Sequence, residues 1–478
     1  MDVTSLYFIS FSVISIFIYY LLRNEYRVLF LTLLSCAFIV TYSYILLIYV
    51  LVYALINYFI GLKIPGSRFR KLLFISGIVF NLTQLLLLKY VTFTINPVFE
   101  LLNIDLDLTI IPRIIIPVGV SFFTLQGIGY LINVNLGWEK PEKNFTNFLL
   151  YISFFPRYLS GPIDRSNHFL PQLRINKTFD GENIAASFRL ILFGLFKKVA
   201  IANQLAPIIN DAFANNGNSH DYAIWAVLLF LPLYLYFDFS GYTDIAFGIA
   251  RAFGIELRPN FNRPFMSESM TEFWKRFHIS LSSWFHDYVF IRTSYRYRKW
   301  GRKASIFALF LTWVLFGIWH GAGWTFMLLG FLQALAIYYE FVTRKLRVRI
   351  FSKLPNFIRA WLGRLFTYLF YAASLVFFFA PDLNSAFTFF ERLPLLGDNL
   401  TIGVISAKDF FIVFIFIFII LLFEVLKEDY SNIFNKIESF WLSNKNINRI
   451  FRWVVYYILI MIIIYFTGDN KEFVYIQF

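Results

Sequence analysis

Apolar residues run along this chain in long blocks, separated by short polar stretches in which the positive charges gather. Blocks lie near residues 4–22, 28–42, 44–62, 72–96 and 113–135, then near 184–209, 222–250, 304–319, 323–342, 361–381, 410–427 and 451–467. A helix crossing a hydrocarbon core of roughly 30 Å needs about 17–25 such residues. A transmembrane β-barrel would instead show short segments of alternating polarity, which this sequence lacks. The pattern predicts an all-α polytopic membrane protein. No linker or low-complexity stretch divides it, so residues 1–478 read as a single integral-membrane domain.

Two stretches do not read as simple spans. Residues 146–160 form a short aromatic run ending in PRYLSGPIDR, where Pro156, Gly161 and Pro162 break a helix. Residues 272–290, EFWKRFHISLSSWFHDYVF, lie between two basic loops. Both ends of each stretch fall on the same side, so each is expected to be re-entrant or interfacial. Non-helical backbone at depth is tolerated where protein or a water-filled cavity satisfies it. A funnel opening from the cytoplasm follows. Within 272–290, His278, Ser282 and His286 are spaced to share one helical face.

Charge sets the expected orientation. Met1 to Ser5 carries an aspartate rather than the positive start of a signal peptide. The first positive residues, Arg23 and Arg27, follow the first span, which places the N-terminus outside. Alternation then puts Lys63, Arg68, Arg70 and Lys71 on the cytoplasmic side, followed by Arg258, Arg263, Lys275 and Arg276. The clusters 292–303 and 344–349 join them, whereas loops 97–112 and 210–221 carry no Lys or Arg. The net charge of +14 is thus a membrane-sidedness bias, usable for anionic headgroups or a polyanionic ligand, and no nucleic-acid signal. Composition agrees: the chain is 59% hydrophobic and 15% charged, against roughly 25% charged in a soluble domain. The single Cys36 and five histidines without an H-E-x-x-H pattern give no basis for a metal site.

Ionisable groups inside the apolar blocks mark the candidate chemistry. His320 stands in FGIWHGAGWTF, at the inner turn of a hairpin whose outer ends are both basic. Position alone allows a buried neutral imidazole bonded to a carbonyl, or a functional group. Asp238 and Asp244, in FDFSGYTDIAFGIARAFGI, each cost about 2.5–3.5 kcal/mol at the bilayer centre and need partners. Arg251 or Arg276 would supply structural pairing; orienting a histidine or lining a substrate path is the functional alternative. His286, beside the basic loop, is expected at the surface, and His278 deeper.

Five segments together carry a family resemblance: SFFTLQGIGYLINV (121–134), YLSGPIDR (158–165), DFSGYTDIAFGIARAFGIELRPNFNRPF (238–265), EFWKRFHISLSSWFHDYVFI and FGIWHGAGWTF. The chain resembles the membrane-bound O-acyltransferase (MBOAT) superfamily. Within it the resemblance is to the bacterial branch of alginate O-acetyltransferase membrane subunits and the D-alanyl-lipoteichoic-acid transfer protein. The motif core covers about 115–340. GPIDR leans to the D-alanyl branch, and FWKRFHISLSSWF to the acetyl branch.

The resemblance implies a multi-helix bundle with re-entrant cytoplasmic segments and a central tunnel. It makes His320 the active-site histidine and His278 the second polar residue, with Asp238 and Asp244 as support. A coenzyme A thioester, acetyl-CoA first among them, would be the donor substrate, with no permanently bound cofactor. Lys275, Arg276 and the 292–303 cluster are candidates for its phosphates. The acceptor would be an exported polysaccharide or cell-wall polymer, served through an extracytoplasmic SGNH-hydrolase-like transferase partner across a bacterial cytoplasmic (inner) membrane. The tail 468–478, which alternation places outside, ends in KEFVYIQF and is similar to a C-terminal F-[IV]-Y-x-x-F motif of that branch. The resemblance makes Tyr475 an acyl relay; an interfacial aromatic anchor is the plain reading. The competing classes are D-alanyl transfer and a transporter or flippase of a lipid-linked glycan. Secondary transporters often show repeated broken helices, and the unusual segments here do not repeat.

Overall fold

Backbone buried in hydrocarbon must satisfy its own hydrogen bonds, and helices do this within one segment. A computed structural model of the chain describes residues 3–94, 102, 118–214, 224–393, 406–443 and 445–468. Helices make up all the regular structure among these, apart from one isolated bridge between Phe261 and Phe277. Eight described helices are long and apolar enough to cross a membrane: Tyr44–Lys63, Arg70–Tyr90, Ile224–Ala252, Arg302–His320, Trp324–Phe351, Asn356–Phe379, Lys408–Asp429 and Asn446–Phe466. Leu6–Leu21 is apolar but shorter.

Burial separates centre from periphery. Ile224–Ala252 has 78% of its apolar window buried, against 17% for Lys408–Asp429 and 6% for Asn446–Phe466. The first is the axis of the molecule, and the last two present their side chains outward. Val120–Leu136 is buried around nearly its whole circumference, as a helix hydrophobic on all sides should be. Ile224–Ala252 packs on Gly181–Leu195 at backbone contact. A Cβ on Gly241 would lie 2.8 Å from the Gly194 carbonyl oxygen, and one on Gly194 2.6 Å from that of Gly241. Small residues that let helices approach this closely replace the hydrophobic drive that lipid removes.

The same approach resolves the two carboxylates, Asp238 buried and Asp244 partly so. Asp238 pairs with Lys198, both almost fully buried, and Lys197 Nζ lies 2.7 Å from Asp244 Oδ2. The partners are therefore lysines of the preceding helix, in its π-helical turn Phe196–Ala202, rather than Arg251 or Arg276. Arg251 instead donates to Asn183 Oδ1 at 2.7 Å. Six helical residues differ by about 120° around the axis and adjacent ones by about 100°, so neighbouring lysines serve both aspartates.

The segment at 146–160 is the short helix Phe145–Ser153 followed by a buried turn. Arg157 in that turn is buried, its guanidinium 4.3 Å from the Phe169 ring centroid. Non-helical backbone at this place is enclosed by protein, as hydrocarbon demands. The helix Trp324–Phe351 runs nine residues beyond the apolar block ending at 342, carrying the 344–349 cluster on regular helix. Leu383–Arg392 and Ser431–Leu442 are helices that the apolar pattern did not mark.

Candidate active site

His320 ends the helix Arg302–His320, and Gly321 to Gly323 turn the chain into Trp324–Phe351. The hairpin is closed by two glycines: a Cβ on Gly317 would meet the Phe326 carbonyl oxygen at 2.1 Å, and one on Gly330 that of Trp313 at 2.1 Å. Its turn thus holds His320 as the sequence placed it.

The end of that helix is gripped from a neighbour. Carbonyls of a helix's last turn lack intrahelical donors and carry partial negative charge. Lys89 Nζ donates to the carbonyl oxygens of His320 at 2.9 Å and Trp319 at 3.0 Å, and to Ser121 Oγ at 3.3 Å. The Tyr90 hydroxyl donates to the Ile318 carbonyl at 2.8 Å. Both residues sit in the π-helical turn Leu86–Tyr90, a local irregularity frequent at functional sites. Sequence reading passed over Lys89, although a lysine inside LLLLKYV was the signal.

His278 arrives by a different route. Ser269 caps the start of Met270–Arg276, its hydroxyl accepting from Glu272 N at 3.2 Å, while Glu272 Oε2 accepts from Glu268 N at 3.0 Å. That helix stops at Phe277, and His278 takes a left-handed conformation, φ +47° and ψ +49°, before Ile279–Phe285 begins. The break is held from both sides: Asn262 N donates to Arg276 O and Ile279 N to Asn260 O, each at 2.9 Å. Ser280 Oγ donates to Asn260 Oδ1 at 2.5 Å and accepts from Ile163 N at 3.0 Å. Segments 158–165, 260–262 and 277–280 are thereby fastened together. The expected continuous stripe of His278, Ser282 and His286 is corrected, because the helix carrying Ser282 starts only after His278. A non-glycine residue at positive φ costs of order 1–3 kcal/mol and persists where its surroundings over-determine it.

These two routes bring the imidazoles together. The rings of His278 and His320 lie 6.5 Å apart between centroids. Phe239 stands edge-on to His278 at 4.6 Å, and Phe316 and Trp319 to His320 at 4.9 Å each. Where the sequence reading puts the central tunnel, the described side chains leave a cavity of about 20 Å³ between the histidines. Its walls are apolar except for the histidines, Tyr371, Trp274 and Gln333. Gln333, also missed from sequence, accepts from Trp274 Nε1 at 3.2 Å and donates to Ser374 Oγ at 2.9 Å. The site is a buried, largely apolar box holding two imidazoles, suited to proton transfer from a hydroxyl beside an activated acyl carbon.

The remaining candidates lie elsewhere. His286 is 58% exposed beside Asp287, and His168 Nδ1 is 2.9 Å from Asp164 Oδ1 in a half-exposed position. Lys275 is exposed, while Arg276 is engaged by Glu272 at 2.6 Å and Glu428 at 2.8 Å. Asp238 and Asp244 are held by their lysines. His220 and Tyr475 lie outside the described residues.

Comparison with known proteins decides what this box belongs to. Residues 25–380 match the MBOAT, membrane-bound O-acyltransferase family. The chain belongs to that family. It is an integral multi-pass membrane acyltransferase. Among its relatives is the probable alginate O-acetylase of Pseudomonas aeruginosa, 32% identical over 80% of this chain and 72% of that protein. The peptidoglycan O-acetyltransferase of Helicobacter pylori is 32% identical over 69% and 66% of the two chains. A teichoic acid D-alanyltransferase of Bacillus subtilis is 33% identical over 45% and 56%. Within this MBOAT chain, the matched region holds Lys89, His278 and His320 together.

Proposed function

We propose that this acyltransferase moves a short acyl group, acetyl in the first instance, from a cytoplasmic coenzyme A thioester to a hydroxyl acceptor that leads to an exported polysaccharide or cell-wall polymer. The observation that carries this reading is the pair of histidines across a cavity of about 20 Å³. Relatives that are named for O-acetylation of alginate and peptidoglycan support the same reading.

In this reaction His320 takes the proton of the attacking hydroxyl while its oxygen bonds to the thioester carbonyl carbon. The carbon–sulfur bond then breaks, and the leaving thiolate takes up the proton. A positioned base of this kind contributes on the order of 10²–10⁴ in rate. His278 faces the same cavity and orients the reacting groups. Tyr475 is the hydroxyl that receives the acyl group and hands it to an extracytoplasmic SGNH-hydrolase-like transferase. A phenyl ester transfers readily to a sugar hydroxyl because phenolate leaves more easily than an alkoxide. Lys275 and the 292–303 cluster face the donor's phosphates. The membrane is the bacterial cytoplasmic one, with both termini outside. Similarity to a D-alanyltransferase makes D-alanyl the second reading.

Mass spectrometry of the purified surface polymer, with and without the protein, tests both. Loss of acetyl esters is the expected result, loss of D-alanyl esters establishes the second reading, and an unchanged polymer overturns the proposal.

A further inference from the structure

A second and far larger cavity lies between Trp324–Phe351 and Asn356–Phe379, against the start of Met270–Arg276. It measures about 900 Å³. It begins one helical turn from the histidine cavity: Met270, Ala336 and Thr367 line the crevice, and Trp274, Gln333 and Tyr371 line the box. Its other end carries Arg347 and Arg359. Arg347 is fixed there, its Nε donating to Thr343 Oγ1 at 3.1 Å and Nη2 to the Glu340 carbonyl at 2.8 Å. Glu340 also lines the crevice, but its carboxylate is occupied, accepting from Thr271 N at 3.1 Å and Thr271 Oγ1 at 2.7 Å. Glu268 is the other acid of the wall. No acid follows Glu340 until Asp382, while Arg344, Lys345, Arg347, Arg349, Lys353 and Arg359 all fall in that interval.

We propose that this crevice binds an anionic phospholipid, its phosphate between Arg347 and Arg359 and an acyl chain along the apolar walls. Three features select that occupant. The crevice opens sideways onto apolar residues that face outward, with Phe366 and Val348 each 63% exposed and Tyr339 58%. The distance along the helix from Arg347 to Leu335 is about 18 Å at 1.5 Å per residue. That matches one leaflet, roughly half of a 30 Å hydrocarbon core. Basic pockets between membrane helices are suited to anionic headgroups. A coenzyme A thioester fits the arginines but not the walls, where the two pantetheine amides would find Thr367 and few other polar partners.

Native mass spectrometry of the full-length protein in detergent tests this, with phosphatidylglycerol and phosphatidylethanolamine titrated separately. Two basic groups near a membrane surface supply roughly a 10- to 30-fold preference for the anionic lipid. The expected result is that preference in the native chain, its loss in Arg347→Gln/Arg359→Gln, and its retention in Arg347→Lys/Arg359→Lys. Ala336→Phe, which leaves both arginines and fills the inner end, is expected to weaken phosphatidylglycerol binding. Equal binding of the two lipids overturns the proposal, as does a preference that survives the double glutamine variant. A preference untouched by Ala336→Phe places the lipid on the outer basic collar and overturns it too. Displacement of phosphatidylglycerol by coenzyme A assigns the crevice to the donor and has the same consequence.

Discussion

At the scale of residues, the proposed site brings together two imidazoles delivered by unrelated backbone devices and one lysine that holds a helix end. His278→Ala removes the second imidazole, and O-acylation of the polymer is expected to fall by about 10²-fold or more. His286→Ala and His168→Ala, which change groups at or near the surface, are expected to leave acylation within a fewfold of normal. If His286→Ala proves the more damaging, the cavity assignment fails. Lys89 bonds the carbonyls of Trp319 and His320, so the role given to it is to position the base. A hydrogen bond contributes about 0.5–1.5 kcal/mol net, and Lys89→Met removes those to Trp319, His320 and Ser121. Acylation is expected to fall at least tenfold while the variant still inserts. Measuring the acceptor KM and kcat separates positioning from general damage, since misplacing the base lowers kcat. An unaltered kcat contradicts the role given to Lys89.

At the scale of elements, backbone contacts between helices carry the arrangement. Gly330→Ala places a methyl 2.1 Å from the Trp313 carbonyl oxygen. Overpacking of this kind costs about 1–3 kcal/mol, so a lower midpoint of thermal unfolding in detergent is expected. Gly323→Ala, whose Cβ would meet Thr325 Oγ1 at 3.5 Å and Phe326 Cδ2 at 3.6 Å, both ordinary van der Waals contacts, should leave the midpoint nearly unchanged, and equal effects would contradict the close-packing account. Lys198→Met takes the lysine from buried Asp238, a loss of about 3–5 kcal/mol when one partner of a buried pair remains. Adding Asp238→Asn is expected to restore much of it, and a double variant as unstable as the sum contradicts direct coupling. The apolar blocks made most helices and the His320 hairpin legible, because length and polarity decide what hydrocarbon accepts. The break at His278 was not legible. It is made by Asn260 and Asn262, some 16 to 18 residues earlier, whose backbone bonds cap the ends of two helices. The lysine partners of Asp238 and Asp244 were hidden similarly, since helical pairing across Gly194 and Gly241 is a tertiary fact.

For the whole molecule, the fold joins a basic face to a buried, two-histidine box near the hairpin turn. Charge gathers at the outer ends of the His320 hairpin, in 292–303 and 344–353, while the box is walled by aromatic side chains. An acyl group can be passed through such a box while a large polyanionic donor stays at the basic face. The central claim is that His320 performs this passage. Its most direct test is the O-acyl content of the surface polymer, measured by mass spectrometry in cells that carry His320→Ala in place of the native chain, with protein abundance in the membrane measured alongside. The account predicts normal membrane abundance with acylation at the level of cells lacking the protein. Near-normal acylation from the well-inserted variant would contradict it.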